Sequence, residues 1–226
     1  AYVKAYYHLG LCLSYGYGCE IDIQAARELM LKAFIFKSYP DNFRENFEYY
    51  YHVKDYFDEY IDATETARNY FYGANCSQNY QNAFNGFAIA FIKDEDAYAG
   101  CMLGDIFFNG LGVKSNIEVA LECYKRCHWG ITLCDYDDYF EMMPEYKIGM
   151  CLLNGIGTQK NKRFASYFLG CVADYYKKPE NDIPEKYANE INNAIKISDE
   201  LFCEYGYDFE EEAEAWLEQP IEYATK

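Results

Sequence analysis

The sequence predicts an all-α protein made of stacked helix–loop–helix hairpins. Three observations carry this prediction. A pattern of glycine, Asx and alanine residues returns four times along the 226 residues. The apolar residues between these positions follow helical spacing, and proline is scarce, with 5 in the chain. Hydrophobic residues make up 51% and charged residues 25%, a balance typical of a folded globular chain rather than a disordered one.

The repeat combines a Leu-Gly pair, two loop glycines, an Asx residue and an alanine. The first copy returns at a shift of 94 residues and again after a further 45, and an eroded copy lies 37 residues before the Leu103 copy. In chain order the four copies are Leu9, Gly10, Gly16, Gly18, Asp22 and Ala26; Ala67, Gly73, Asn75, Asn79 and Ala83; Leu103, Gly104, Gly110, Gly112, Asn116 and Ala120; Ile148, Gly149, Gly155, Gly157, Asn161 and Ala165.

Each residue type in the pattern has a structural reason. The glycine of the Leu-Gly pair lies in mid-helix, where it lowers stability unless a neighbouring helix must approach closely. The first loop glycine ends the first helix at positive φ. The Asx residue caps the second helix by accepting backbone N–H bonds, and the alanine faces the first helix. The second copy lacks the Leu-Gly pair and the second loop glycine, so we expect a looser or differently angled hairpin there.

These residues resemble the SEL-like (Sel-one-like) repeat, a relative of the tetratricopeptide repeat. The motif of Ala, Leu-Gly, Gly-x-Gly, Asp/Asn and Ala matches residues 5–26 in the first copy and 99–120 in the third. The resemblance covers most of residues 1–175. It implies an α/α superhelix (solenoid) of about four to five stacked helix–loop–helix repeats.

The spacing of the copies sets the predicted domain organisation. One repeat domain spans residues 1–178, with insertions near 37–60 and around 134–143. Helical spacing of Phe43, Phe47, Tyr50 and Phe57 predicts either an added helix in the first insertion or a long extension of the next helix. The copies lie near 1–36, 60–93, 97–130 and 142–175.

Residues 179–226 are interpreted as an acidic helical cap of the same domain. Pro179 and Pro184 interrupt the chain, and Gly206 ends one helix before Asp208 begins the next. The apolar stripes of these two helices are Tyr187, Ile191, Ala194, Ser198 and Leu201, then Phe209, Ala213, Trp216 and Leu217.

The charge excludes two classes of partner. The formal net charge is −17, and residues 179–226 hold 14 acidic residues and 3 lysines. Phosphate backbones and anionic membrane surfaces would repel such a chain, so we expect no nucleic acid and no membrane insertion. The longest apolar stretches, such as residues 87–92, are also too short to cross a bilayer.

The ten cysteines are interpreted as reduced structural thiols rather than a disulfide framework. Cys127 falls at the repeat position of Ala33, Ala90 and Val172, which is a small buried site. Cys123, Cys127, His128 and Cys134 match no common zinc finger, and we expect no metal or other cofactor. Reduced thiols predict a cytoplasmic protein. The alternative is a secreted or periplasmic protein from which a leader has been removed.

The tetratricopeptide analogy assigns a binding surface to the first helix of each hairpin, on the concave face. The positions two before and two after the conserved Leu, and five and six after it, are expected to face a peptide or partner protein. An alternative is that the 37–60 insertion fills this groove. Lys125 is expected on the opposite, convex side. The predicted groove residues are Tyr7, Leu11, Tyr15, Arg68, Phe71, Tyr72, Asp105, Phe108, Asn109, Tyr146, Met150 and Asn154.

The resemblance implies a protein–protein interaction scaffold or adaptor of bacterial or protist origin, without catalysis. No nucleophile, base and acid stand in a recognisable arrangement, and the Gly-x-Gly loops lack the Lys-Ser/Thr of a phosphate loop. The alternative is an unrecognised, hydrolase-like enzyme with its site in the insertions.

Overall fold

The structure, a computed structural model, describes residues 2–35, 63–94, 96–128, 141–206 and 209–218. Within these ranges every regular element is helical. The predicted helix near 43–60, the acidic run that follows Cys134 and the cap Asp208 lie outside the described residues. The helices are α1 (Tyr2–Tyr15), α2 (Ile23–Ile35), α3 (Ala63–Tyr72), α4 (Tyr80–Asp94), α5 (Ala97–Asn109), α6 (Ile117–Arg126), α7 (Met143–Asn154), α8 (Lys162–Tyr176), α9 (Ala188–Tyr205) and α10 (Glu210–Glu218).

The chain divides into two compact units, Ala1–Glu122 and Cys123–Lys226. In the first unit α1 packs on α2 and α3 on α4, and α4 also contacts both α2 and α5. In the second unit α8 contacts three helices, α7, α9 and α10. Helices α1, α3, α5 and α7 are the first helices of the four repeats. The all-α fold class with hairpin repeats, predicted from the sequence, is confirmed.

The four repeat loops share one set of hydrogen bonds. In each, the first loop glycine adopts φ between 68° and 72°, and the next residue donates its N–H to a first-helix carbonyl, as Leu111 does to Ile106 at 3.0 Å. The predicted Asx caps are confirmed in all four repeats. The cap oxygens of Asp22, Asn79, Asn116 and Asn161 accept from the backbone N–H three residues later at 2.9, 3.1, 3.1 and 3.1 Å.

The second repeat keeps the loop geometry of the other copies. Its loop is not looser, because Asn75 takes φ = 61° where the other copies have glycine at 68–76°. Asparagine is the non-glycine residue that tolerates this region best. The bond from the Ala74 N–H to the Asn69 carbonyl, at 3.0 Å, matches its counterparts. The loop geometry therefore survives the loss of the second glycine.

Small residues set the distance between paired helices. Ala26, Ala83, Ala120 and Ala165 are fully buried, as the alanine position predicts. Gly149 is also buried, and an added Cβ would lie 2.7 Å from Leu169 Cγ on α8. In the second repeat the glycine at this contact lies on the second helix of the pair rather than on the first. Ala67 replaces it on α3, and Gly86 on α4 faces it, where a Cβ would lie 2.8 Å from that of Ala67.

The first repeat exposes apolar side chains whose counterparts in later repeats are buried. Leu9 is 51% exposed, whereas Leu103 and Ile148 at the same repeat position are fully buried. A Cβ on Gly18 would meet no atom within 4 Å, whereas one on Gly112 would lie 2.9 Å from Tyr80 Cβ of the preceding repeat. Further exposed apolar side chains of this repeat are Tyr17, Ile21 and Ile23.

The C-terminal helices follow the predicted stripes. Ile191, Ala194, Ser198 and Leu201 of α9 are buried, and α10 buries Ala213. The Trp216 ring lies 6.3 Å from Phe164 and 6.1 Å from Phe168 on α8, centroid to centroid. Lys125, for which the sequence predicts a convex position, is not exposed to solvent. Its side chain is buried, with the ammonium 4.6 Å from the Trp216 ring centroid, because α10 covers it.

No helix among the described ranges combines the length and the apolar character that crossing a bilayer requires.

A candidate binding face on the first helices

Asp96 joins two neighbouring first helices in the first unit. Its Oδ1 caps α5 by accepting from the Ala99 N–H at 3.2 Å. Its Oδ2 accepts from the Thr64 hydroxyl of α3 at 2.6 Å. One carboxylate therefore fixes the start of α5 against the first turn of α3. Sequence reasoning missed this residue, because an Asp before a helix reads as a local cap and nothing in the sequence pairs it with Thr64, 32 residues earlier.

Arg68 is held across the same pair of helices. Its Nε donates to the Tyr98 hydroxyl of α5 at 3.2 Å, and its guanidinium carbon lies 5.9 Å from the centre of that ring. An N–H of its Nη1 donates to Glu65 Oε2 at 3.0 Å. The Tyr98 ring is fully buried, so it is a fixed support for the arginine. The predicted site residue is thus oriented before any partner arrives.

Two aromatic side chains follow Arg68 at the end of α3. Phe71 is partly buried, with its ring centroid 5.4 Å from Tyr80 and 6.2 Å from Phe87. Tyr72 is 45% exposed and lies edge-on to Phe71, 4.9 Å away. Phe71 therefore anchors the pair to α4, and Tyr72 presents its ring to solvent.

The next first helix, α5, repeats the same register. Asp105 and Phe108 are partly exposed and Asn109 is exposed. The Asn109 amide donates to the Asp105 carbonyl at 2.9 Å. In the second unit the Asn154 amide donates to the Met150 carbonyl in the same way, also at 2.9 Å. Each of these two amides therefore uses one N–H in a bond to the last turn of its own helix.

The three predicted residues of the first repeat differ in exposure. Tyr15 is 60% exposed and its ring lies 5.6 Å from that of Tyr17, and Leu11 is partly exposed. Tyr7 is only 6% exposed, so its ring has little surface to give a ligand. Thr64 at the equivalent position is also buried. The position two residues before the conserved Leu thus packs inward in both of these copies.

On α7 of the second unit, Tyr146 and Met150 are partly exposed and Asn154 is exposed. Burial, and then the carboxylate of Glu190, raise the pKa of Tyr146 above its ordinary value. Its phenol is therefore neutral at physiological pH and can both donate and accept a hydrogen bond.

The predicted residues that keep exposed surface are named the first-helix face. In the first unit they are Leu11, Tyr15, Arg68, Phe71, Tyr72, Asp105, Phe108 and Asn109; in the second they are Tyr146, Met150 and Asn154. The last six of the first set lie on α3 and α5, which are joined by two hydrogen bonds, from Thr64 to the N-cap Asp96 and from Arg68 to Tyr98. In the first unit these side chains offer aromatic area, one amide and one charge of each sign. In the second unit they offer one phenol, one thioether and one amide.

Of the four residues that match no common zinc finger, Cys134 lies outside the described residues and the other three lie in packed surroundings. Cys123 and Cys127 are fully buried, and Cys127 shares full or nearly full burial with Ala33, Ala90 and Val172, as its repeat position predicts. His128 instead has its Nδ1 2.9 Å from Glu145 Oε1 of α7. In the part of the chain that the structure describes, no three His, Cys, Asp or Glu side chains are grouped so that they could hold a metal ion.

Hairpins that repeat a Gly-x-Gly loop, an Asx cap and a buried alanine define a helical repeat protein. The sequence profile of the Sel1 repeat matches residues 3–34, 63–85, 97–126 and 145–174, together just over half of the chain. The chain therefore belongs to the Sel1 repeat family, and the resemblance predicted from its sequence is confirmed.

Two crystal structures are similar to this chain, each at 17% sequence identity. One is a Sel1 repeat protein from Oxalobacter formigenes, with a TM-score of 0.40 over 88% of this chain and 73% of that one. The other is c5321, a protective antigen present in uropathogenic Escherichia coli strains that displays an SLR fold, with a TM-score of 0.41 over 88% of this chain and 46% of that one. This chain thus spans less than half the length of the antigen. No curated protein matches the sequence.

Proposed function

We propose that the protein is an interaction scaffold, without catalysis of its own, that binds a peptide or partner protein on the first-helix face. The observation that carries the proposal is the exposure of tyrosines at one register position of the first helices. Tyr15 and Tyr72 occupy the same place in their repeats, and each ring is about half exposed or more. Tyrosine provides apolar contact area and a hydroxyl at low entropic cost, which suits a contact surface.

The support beneath the face favours the same function. Arg68 lies on the buried Tyr98 ring, and Phe71 packs against Phe87. Side chains that are already ordered lose less entropy when a partner binds. Arginine and large aromatics are also the residue types that dominate binding energy in protein interfaces. Phe108 is a partly exposed aromatic of the first-helix face on α5.

The alternative is an enzyme with a hydrolase-like site in the insertions. Most of both insertions lies outside the described residues, so this alternative rests on sequence alone. Within the described residues the first-helix face holds no nucleophile paired with a base. The scaffold is therefore the function that the observed side chains support best.

Phe108→Ala is expected to weaken partner binding about tenfold or more, while the melting temperature changes little. The reason is that a partly exposed ring contributes more to an interface than to its own fold. The measurement is a quantitative pull-down from the native source, followed by titration of the captured protein. Phe202→Ala is the matched control, since it removes the same ring from a half-exposed site on α9, which is not a first helix of a repeat.

The proposal gains support if a protein is captured by wild type and by Phe202→Ala but is lost from Phe108→Ala. Equal losses from both variants would contradict it, as would retention by Phe108→Ala. A lost melting transition in Phe108→Ala would assign the ring to the core. In that case Tyr72→Ala, which truncates a more exposed ring, repeats the test.

We further propose that the protein works with reduced cysteines, as in the cytoplasm. The support is positional, since Cys127 fills a site where other repeats place alanine or valine, and such sites suit a small hydrophobic side chain. Thiol titration of the denatured, unreduced protein, purified under air-free conditions, is expected to count all ten cysteines. A count two or more lower would show a disulfide and overturn the cytoplasmic assignment.

A further inference from the structure

A cavity of about 310 Å³ opens in the second unit on one face of α8. Tyr167, Cys171, Asp174, Tyr175 and Lys178 line it at helical spacing, and Glu210 at the start of α10 faces them. Tyr167 is buried and Cys171 is partly buried, so they form the floor, whereas Asp174, Lys178 and Glu210 are exposed at the mouth. The volume is at the small end of ligand-binding pockets, which fits one long side chain better than a cofactor.

The floor of the cavity is neutral. Burial is the main reason that the pKa of Cys171 rises to about 12, so its sulfur is a thiol at physiological pH. Burial also raises the pKa of Tyr167 well above its usual range, so the phenol stays protonated. The Tyr167 hydroxyl donates to Glu214 Oε1 at 3.3 Å, and the same hydroxyl is hydrogen-bonded with the Cys171 side chain.

The surroundings of the floor are predominantly acidic. Glu145, Asp174 and Glu210 each add to the rise in the pKa of Cys171, and Glu214 and Glu210 add to that of Tyr167. Lys178 is the opposing charge at the mouth. Four carboxylates thus act on a neutral floor against one ammonium. A positive group in the cavity gains from this field, and an anion is repelled.

We propose that this cavity binds the positive end of an arginine or lysine side chain from a partner peptide. The carboxylates of Asp174 and Glu210 pair with the cation at the mouth, above the neutral floor that Tyr167 and Cys171 form. The rings of Tyr167 and Tyr175 provide aromatic surface, with which cations interact favourably. This site belongs to α8 and α10 of the second unit and does not rest on the proposed role of the first-helix face.

The test compares two small probes of the same shape. N-acetyl-arginine amide carries the guanidinium, and N-acetyl-citrulline amide replaces it with a neutral urea. In titrations followed by NMR, the arginine probe is expected to shift the amide signals of Gly170, Cys171 and Asp174 saturably, with a Kd of about 1 mM. The citrulline probe is expected to bind at least about fivefold more weakly, because it lacks the charge.

Three charge variants separate a site from a general field. Glu210→Gln is expected to weaken the arginine probe about three- to fivefold, and Lys178→Gln to strengthen it by a similar factor. Glu200→Gln, an exposed carboxylate on α9, is the matched control and is expected to change nothing. All three side chains are exposed, so each variant should fold as wild type does.

The proposal is overturned if citrulline binds as tightly as arginine, or if Glu200→Gln weakens the probe as much as Glu210→Gln does. No saturable shift at Cys171 up to about 20 mM probe, twentyfold above the expected Kd, would also overturn it. Failure here leaves the Phe108→Ala contrast intact, because that experiment reads a different surface.

Discussion

Gly112→Ala is expected to lower the free energy of unfolding by about 3 kcal/mol. Gly112 adopts φ = 70°, where a side chain costs about 1–2 kcal/mol. An added Cβ would also lie 2.9 Å from Tyr80 Cβ and 3.1 Å from the Gln81 backbone nitrogen. Backbone atoms yield little, and overpacking of this kind costs about 1–3 kcal/mol. Urea denaturation followed by circular dichroism measures the change.

Gly18→Ala is the matched control for that experiment. Gly18 has nearly the same backbone angle, φ = 76°, but a Cβ there would meet no atom within 4 Å. Its expected cost is about 1 kcal/mol, because strain in the folded state is partly offset by the smaller entropy of the unfolded chain. If the two variants lose the same stability, the third loop does not pack on the second repeat.

Gly86→Ala is expected to cost about 2–3 kcal/mol, although alanine is the better helix former. The new Cβ would lie 2.8 Å from Ala67 Cβ and 3.0 Å from the carbonyl oxygen of Ala63, so α3 and α4 must move apart. The hairpin also predicts a rescue. Ala67→Gly in the same chain removes the closest contact and returns the glycine to the first helix, as in the other repeats.

The double variant Ala67→Gly, Gly86→Ala is therefore expected to lose about 1–2 kcal/mol less free energy of unfolding than the two single variants lose together. Thermal unfolding of the four proteins completes the cycle. Additive losses would show that the two residues do not share one packing site, and would remove the explanation for the missing glycine of the second repeat.

The local parts of this fold could be predicted from sequence, because their causes lie within a few residues. An Asx side chain reaches a backbone N–H three residues later, and a glycine ends a helix where φ must be positive. Spacing alone therefore located the caps and loops. The loop of the second repeat was harder to predict, because the sequence shows only that the second glycine is missing. It does not show that Asn75 adopts the same positive φ.

The parts that could not be predicted depend on contacts between distant segments. Lys125 reads as an exposed lysine until Trp216, 91 residues later, is placed over it. The pairing of His128 with Glu145 and the link from Thr64 to Asp96 also join different helices. The predicted binding residues fall between these cases. Register gave their helix positions, but only packing shows that Tyr7 is covered while Tyr15 is not.

The open apolar side of the first repeat has a practical consequence for protein engineering. Leu9, Tyr17 and Ile21 present an unoccupied surface, and the loop at Gly18 has clearance where Gly112 has none. A designer who wishes to lengthen the array therefore has an exposed apolar surface there on which to pack a further hairpin. Exposed apolar patches favour self-association, so Ile21→Lys, which introduces the residue found at the equivalent position 160, is expected to raise the concentration at which the purified protein stays in solution.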